Sequence, residues 1–257
     1  MPDRSRSMRR VLAGIARLAL VAVLGAAVGA GLSLTMPGSL ASSELPPYQR
    51  TVTNPFDELP EEPLALIVGD SYTEGYGSSE PEKGWAYLAA ASLGWAATID
   101  GIGGTGFYKG TSADRSPGHE YRTRLLAHAA TRVDYDIVVL QGGLNDWIAT
   151  LAQEQAATTL AIRTAQELWP DAIIVVFGPL EPLGKGVPRL VHLDTIRTAA
   201  QDADAVFIDP DDPEPWLNAR NTDAFDSGDG LHLNDLGASY VAARFTAAFE
   251  SHRTLPE

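Results

Sequence analysis

Residues 67–77 read IVGDSYTEGYG, and the architecture turns on how they are understood. An apolar run stops abruptly at Gly69-Asp70-Ser71, and glycines follow at Gly75 and Gly77. A strand that ends on a glycine, an acid and a hydroxyl offers polar groups at its carboxyl end. The same layout recurs along the chain. Continuous apolar runs lie at Leu64–Val68, Ala96–Ile99, Ile137–Leu140, Ile173–Phe177 and Ala205–Ile208. None alternates strictly, as expected of strands covered on both faces. Helical stretches fall between them: Gly84–Leu93, Glu120–Ala130, Trp147–Leu168 (stopped by Pro170), Val187–Ala203 and Asp235–Phe249. In the last, Val241, Phe245 and Phe249 share one face, and Asn234 is placed to cap its start. Strands alternating with helices predict an α/β fold, a five-stranded parallel sheet between two helix layers. In such sheets the working residues gather in loops at the carboxyl ends of the strands.

The body is preceded by something different. Residues 1–41 hold five arginines and a single acid, Asp3. Leu18–Leu34 is an uncharged apolar run, broken by Pro37-Gly38 and followed by the small-residue stretch Ser39-Leu40-Ala41. This pattern predicts a signal peptide or a membrane anchor, cleaved or retained, that would place the rest outside the cytoplasmic membrane. Residues 42–62, with four prolines, read as a linker, and 63–257 as the folded domain. The 257-residue chain has a formal net charge of -14; the tail contributes +4, so the remainder carries -18. A body that acidic is repelled by nucleic-acid phosphates and anionic membrane surfaces, leaving membrane contact to the N-terminal segment alone. The chain has no cysteine, which excludes disulfides, thiolate metal sites and a Cys nucleophile.

Four loops carry polar clusters that packing does not call for. After the first strand comes Gly69-Asp70-Ser71; after the second, DGIGGTGF, Asp100 to Phe107; after the third, QGGLND, Gln141 to Asp146; before the last helix, DGLHLN, Asp229 to Asn234. A serine hydroxyl needs a base to take its proton, and His232 fits that need, with Asp229 three residues earlier to orient the ring. An attacked carbonyl needs donors for its oxyanion, which glycine N–H groups in loop two and the Asn145 amide offer. Gly101, Gly103 and Gly106 match G-x-G-x-x-G, but loop rather than helix follows, against a dinucleotide site. Asp146 reads as a cap for the helix starting at Trp147. The seven acids from Asp209 to Asp229 read as a solvated loop, their spacing fitting no calcium pattern. Tyr76, Phe107 and Trp147 lie closest in sequence to the four loops and are candidates to line a pocket.

Together these segments resemble, in order, the blocks of the SGNH hydrolases, the GDSL-type esterases and lipases, from Gly69 to His232. Gly69-Asp70-Ser71 resembles the first block, which implies Ser71 as nucleophile. Gly101–Gly104 resembles the second, implying that the Gly104 N–H enters the oxyanion hole with the Ser71 N–H. Gly143-Leu144-Asn145-Asp146 matches G-x-N-D, giving Asn145 the side-chain donor role, and Asp229-Gly230-Leu231-His232 matches D-x-x-H, with His232 as base and Asp229 as its orienter. Tyr72 replaces the family's leucine, and Asp100 stands where an asparagine is often found. The resemblance implies a flavodoxin-like three-layer sandwich and ester hydrolysis through an acyl-serine without metal or cofactor; with no long apolar lid segment in the sequence, short-chain or acetyl esters, of small molecules or glycans, are the expected substrates. Asp70 is expected to be structural, fixing the turn. An O-acyltransferase using the same residues on a cell-envelope glycan is the first alternative; a non-enzymatic binding module on the same sheet is the second.

Overall fold

The computed structural model describes residues 54–113, 115–180, 183 and 189–254. The expected export segment, the first part of the expected linker (42–53) and the first two residues of the helix expected from Val187 lie outside the described residues. No helix among the described residues is long and apolar enough to cross a membrane.

Five strands form one parallel sheet: β1 (Leu64–Gly69), β2 (Ala96–Gly101), β3 (Ile137–Gln141), β4 (Ile173–Phe177) and β5 (Val206–Ile208), in the spatial order β2-β1-β3-β4-β5. Gly69 pairs with Gly101 on one side and with Gln141 on the other, so three strands end level with one another. The order reverses at β1, and at such a switch point the loops leaving the strands diverge and open a crevice.

Around the sheet lie the long helices α2 (Trp85–Ser92), α3 (Tyr121–Ala129), α4 (Leu151–Leu168), α5 (Arg189–Asp202) and α7 (Asp235–Thr254), and two single turns, α1 (Ser71–Glu74) and α6 (Thr222–Phe225). Successive strand residues point to opposite faces, and the apolar runs fill both. Ala65, Ile67, Ile137, Val139, Val175 and Phe177 pack with Trp85, Val241, Phe245 and Phe249 of α2 and α7. Leu66, Val68, Val138, Leu140 and Val176 pack with Leu125, Ala161, Ile162 and Ile196 of α3, α4 and α5. Strand β2 departs from expectation: at the sheet edge, its residues are only partly covered.

Two boundaries are corrected. The helix expected from Trp147 starts at Leu151, after a 3-10 turn over Leu144–Ile148. Thr150 caps it, its hydroxyl accepting from the Gln153 N–H while Gln153 Oε1 accepts from the Thr150 N–H at 3.0 Å. The second correction is at the other end of the domain. Residues 54–62, read as the end of a linker, pack onto the body through Phe56, buried 5.2 Å edge-on from the Phe249 ring.

Candidate active site

At the end of β1 the chain turns at once into α1. Asp70 Oδ1 accepts the Tyr72 N–H at 3.0 Å and caps that single turn. Ser71 therefore stands at the first helical position, above the carboxyl end of the sheet. The opposite wall comes from the loop before α7. Asp226 Oδ1 accepts the N–H groups of Gly228 (2.8 Å) and Gly230 (2.9 Å), and Asp229 Oδ1 accepts those of Leu231 and His232, both at 2.8 Å. These bonds curl the loop so that Asp229 Oδ2 meets His232 Nδ1 at 2.6 Å. His232 Nε2 then lies 2.8 Å from Ser71 Oγ. A neutral imidazole has one N–H; with Nδ1–H donated to the carboxylate, Nε2 keeps the lone pair that faces the serine hydroxyl. Burial pushes the Asp229 carboxyl up, but hydrogen bonds from the His232 ring and from the His232 and Leu231 N–H groups outweigh it and hold Asp229 well below the usual carboxylate range. It is ionised and suited to orient an imidazole and stabilise its cation.

Ser71, Gly104, Asn145 and His232 line one cleft of about 640 Å³. Gly104 has φ +81°, the left-handed region, which leaves this stretch of loop free to turn its N–H toward the cleft. Among the described residues neither the Ser71 nor the Gly104 N–H donates to another backbone group. Asn145 Nδ2 donates to the Thr105 carbonyl at 2.9 Å and lies 3.4 Å from Asp70 Oδ2. An acyl oxygen between these groups would meet two backbone donors and an amide, the arrangement that stabilises a tetrahedral oxyanion.

Asp70 and Asp146 stand behind the cleft, both buried. Asp146 does not cap a helix: its carboxylate accepts the N–H groups of Phe107 (2.9 Å), Tyr108 (3.1 Å) and Lys109 (2.8 Å), tying loop two to loop three. Gly106 is required there, since a Cβ would sit 2.4 Å from that carboxylate. Contacts of this kind account for part of the glycine pattern in loop two without a nucleotide. Burial raises the Asp70 carboxyl to about 7, the Asp146 charge adding to it, while the Tyr72 N–H, the Arg124 charge and Gln141 pull the other way.

Sequence reasoning passed over Arg124 and His128. Arg124, buried on α3, donates to the Gly69 carbonyl at 2.9 Å and to Thr105 Oγ1 at 3.2 Å, and pairs with Asp100 at 2.8 Å. His128 Nε2 lies 2.9 Å from the same carboxylate. Asp100 thus anchors the second loop; burial raises its pKa, but hydrogen bonds from His128 and Arg124 prevail and lower it to about 2. The available signal was a charge on the inward stripe Tyr121, Arg124, Leu125. Tyr72, which stands in place of the family's leucine, donates its hydroxyl to the Leu231 carbonyl at 2.5 Å, joining the serine turn to the histidine loop. Of the expected aromatics only Tyr76 lines the cleft, its ring 4.5 Å from that of His232. Phe107 is buried against Tyr121, and Trp147 is 62% exposed and does not line the cleft. Three of the seven acids of the 209–229 loop pair with arginines: Asp209 with Arg197, Asp211 with Arg189 and Glu214 with Arg220.

The sequence profile of the GDSL-like lipase/acylhydrolase family matches residues 67–239. No curated protein matches the chain. Among solved structures, the psychrotrophic esterase EstA from Pseudoalteromonas sp. superposes with a TM-score of 0.58 at 16% identity, over 76% of this chain and 100% of that one. A carbohydrate esterase family 2 enzyme from Corynascus thermopiles (Myceliophthora fergusii) gives 0.59 at 19% identity, over 77% of this chain and 68% of that one. The salicylyl-acyltransferase SsfX3 of a tetracycline biosynthetic pathway gives 0.55 at 16%, over 77% and 56%. At such identities these likenesses concern the fold.

Proposed function

Since the chain belongs to the GDSL-like lipase/acylhydrolase family, we propose that it is a serine ester hydrolase acting on short-chain or acetyl esters through an acyl-serine. The observation that carries this is the continuous line from Asp229 through His232 to Ser71 Oγ, with links of 2.6 and 2.8 Å. Ser71 Oγ attacks the acyl carbon as its proton passes to His232 Nε2. The oxyanion is met by the N–H groups of Ser71 and Gly104 and by Asn145. The carbonyl re-forms, the C–O bond to the alcohol breaks, and His232 returns the proton to the departing oxygen. Water then repeats the sequence, releasing the acid and restoring the serine.

The carbohydrate esterase among the structural neighbours supports an acetylated glycan as one form of substrate. The same steps up to the acyl-serine serve an acyltransferase, with an alcohol in place of water, and the acyltransferase neighbour keeps that second reading in view. The basic, then apolar, N-terminal stretch supports a site of action outside the cytoplasmic membrane.

The test is turnover of 4-nitrophenyl acetate by the wild-type protein and by Ser71→Ala. The account expects the variant to fold and to lose turnover; full activity in it refutes the account. Weighing the products formed with and without sugar acceptors separates hydrolysis from transfer.

A further inference from the structure

The mechanism leaves one charged wall of the cleft unused. Glu74 closes the turn that Ser71 opens and lines the same cleft as Ser71, His232 and Tyr76. Its Oε2 lies 2.8 Å from the point where a Cβ on Gly103 would sit, and the same point is 3.6 Å from Ser71 Cβ. The carboxylate is therefore folded over the glycine loop, beside the serine. It is exposed, and among the described residues no Lys or Arg pairs with it. The rest of the lining includes Ile102, Gly104, Ser112, Ala113 and His119, and no Lys or Arg.

We propose that Glu74 is a specificity-determining residue that selects esters by charge. It favours substrates carrying an ammonium group near the scissile bond and turns away those carrying an anion. This deepens the ester-hydrolase reading and rests on it. The physical ground is the Coulomb energy of two charges a few ångströms apart, closer than the Debye length of about 10 Å at 0.1 M salt. The acidic body adds a long-range bias of the same sign, but it is spread over the whole surface and fades with salt. A carboxylate beside the nucleophile acts at short range and persists.

The test uses three acetate esters of similar length whose alcohols differ in charge: choline (cationic), 3,3-dimethylbutanol (neutral) and 2-hydroxyethanesulfonate (anionic). Acetate release by the purified protein is followed at about pH 8, where an ordinary imidazole is neutral, at low and at high salt. The wild-type protein is expected to rank them cationic, neutral, anionic in kcat/KM. In Glu74→Gln the cationic-to-anionic ratio should fall about tenfold at either salt concentration, while Glu74→Asp, which keeps the charge, should retain most of it. Glu74→Ala checks the effect should Glu74→Gln fail to fold. A ratio unchanged in Glu74→Gln or Glu74→Ala, or a wild-type preference that salt abolishes, overturns the role of Glu74 alone. Absence of acetate release from all three esters by the wild-type protein strikes at the ester-hydrolase reading instead.

Discussion

Ser71 and His232 are 161 positions apart in the chain, yet Ser71 Oγ and His232 Nε2 lie 2.8 Å apart. Nothing local produces that contact. Ser71 is placed by β1 and the Asp70 cap, and His232 by a loop curled around Asp226 and Asp229. The Tyr72 hydroxyl on Leu231 ties the two together directly. The proposed chemistry therefore depends on the whole sheet, and changes in the loops behind the cleft should register in turnover as well as in stability.

Asn145 is the most direct case. Asn145→Ala removes the side-chain donor proposed for the oxyanion and should lower kcat by about 10²–10³-fold, with KM moving far less. Because Asn145 also holds the Thr105 carbonyl, the melting temperature should be recorded alongside. A loss confined to KM would remove Asn145 from the oxyanion site.

Asp70 carries a pH signature. Its folded pKa of about 7 lies above the ordinary 3.8, so the folded state binds this proton more tightly than the unfolded chain does. The stabilising contribution is complete below about pH 4 and is lost as pH rises through about 7. Asp70→Asn keeps an acceptor for the Tyr72 N–H and cannot ionise. Between about pH 5 and pH 8, the denaturant midpoint of the variant should therefore rise relative to wild type. A pH-independent difference between the two proteins would contradict the raised pKa.

Arg124 should show its role through Asp100. Arg124→Met leaves a partly buried carboxylate without its guanidinium and should destabilise by roughly 3 kcal/mol, as broken buried pairs do. Adding Asp100→Asn should recover part of that loss. Additive effects in a double-mutant cycle would show that the pair is not coupled.

Phe56 tests the boundary of the domain. Phe56→Ala empties a site walled by Phe249 and should cost about 3 kcal/mol. A negligible change in the denaturant midpoint would return residues 54–62 to the linker.

These sites also show what the amino-acid sequence made legible. The strands were plain because each is a short apolar run between polar loops, and the polar clusters at their ends converge because parallel strands end level. What escaped depends on distant partners. Asp146 looked like a helix cap because Trp147 and Ile148 extend the apolar pattern backward; its three donors come from 37 to 39 residues away. The capping box Thr150…Gln153 was in plain sight and was masked by that same run. Arg124 has no local sign beyond a charge on an inward stripe. Phe56 is a single apolar side chain in a proline-rich stretch, too little for any periodicity to reveal.

The central claim is that the Ser71 hydroxyl is the nucleophile and His232 activates it. Peptide mapping by mass spectrometry after treatment with a fluorophosphonate tests it most directly. The account predicts one adduct, on the peptide containing Ser71, absent in Ser71→Ala and formed far more slowly in His232→Ala. An adduct that persists in Ser71→Ala, or no adduct on the folded wild-type protein, would contradict it.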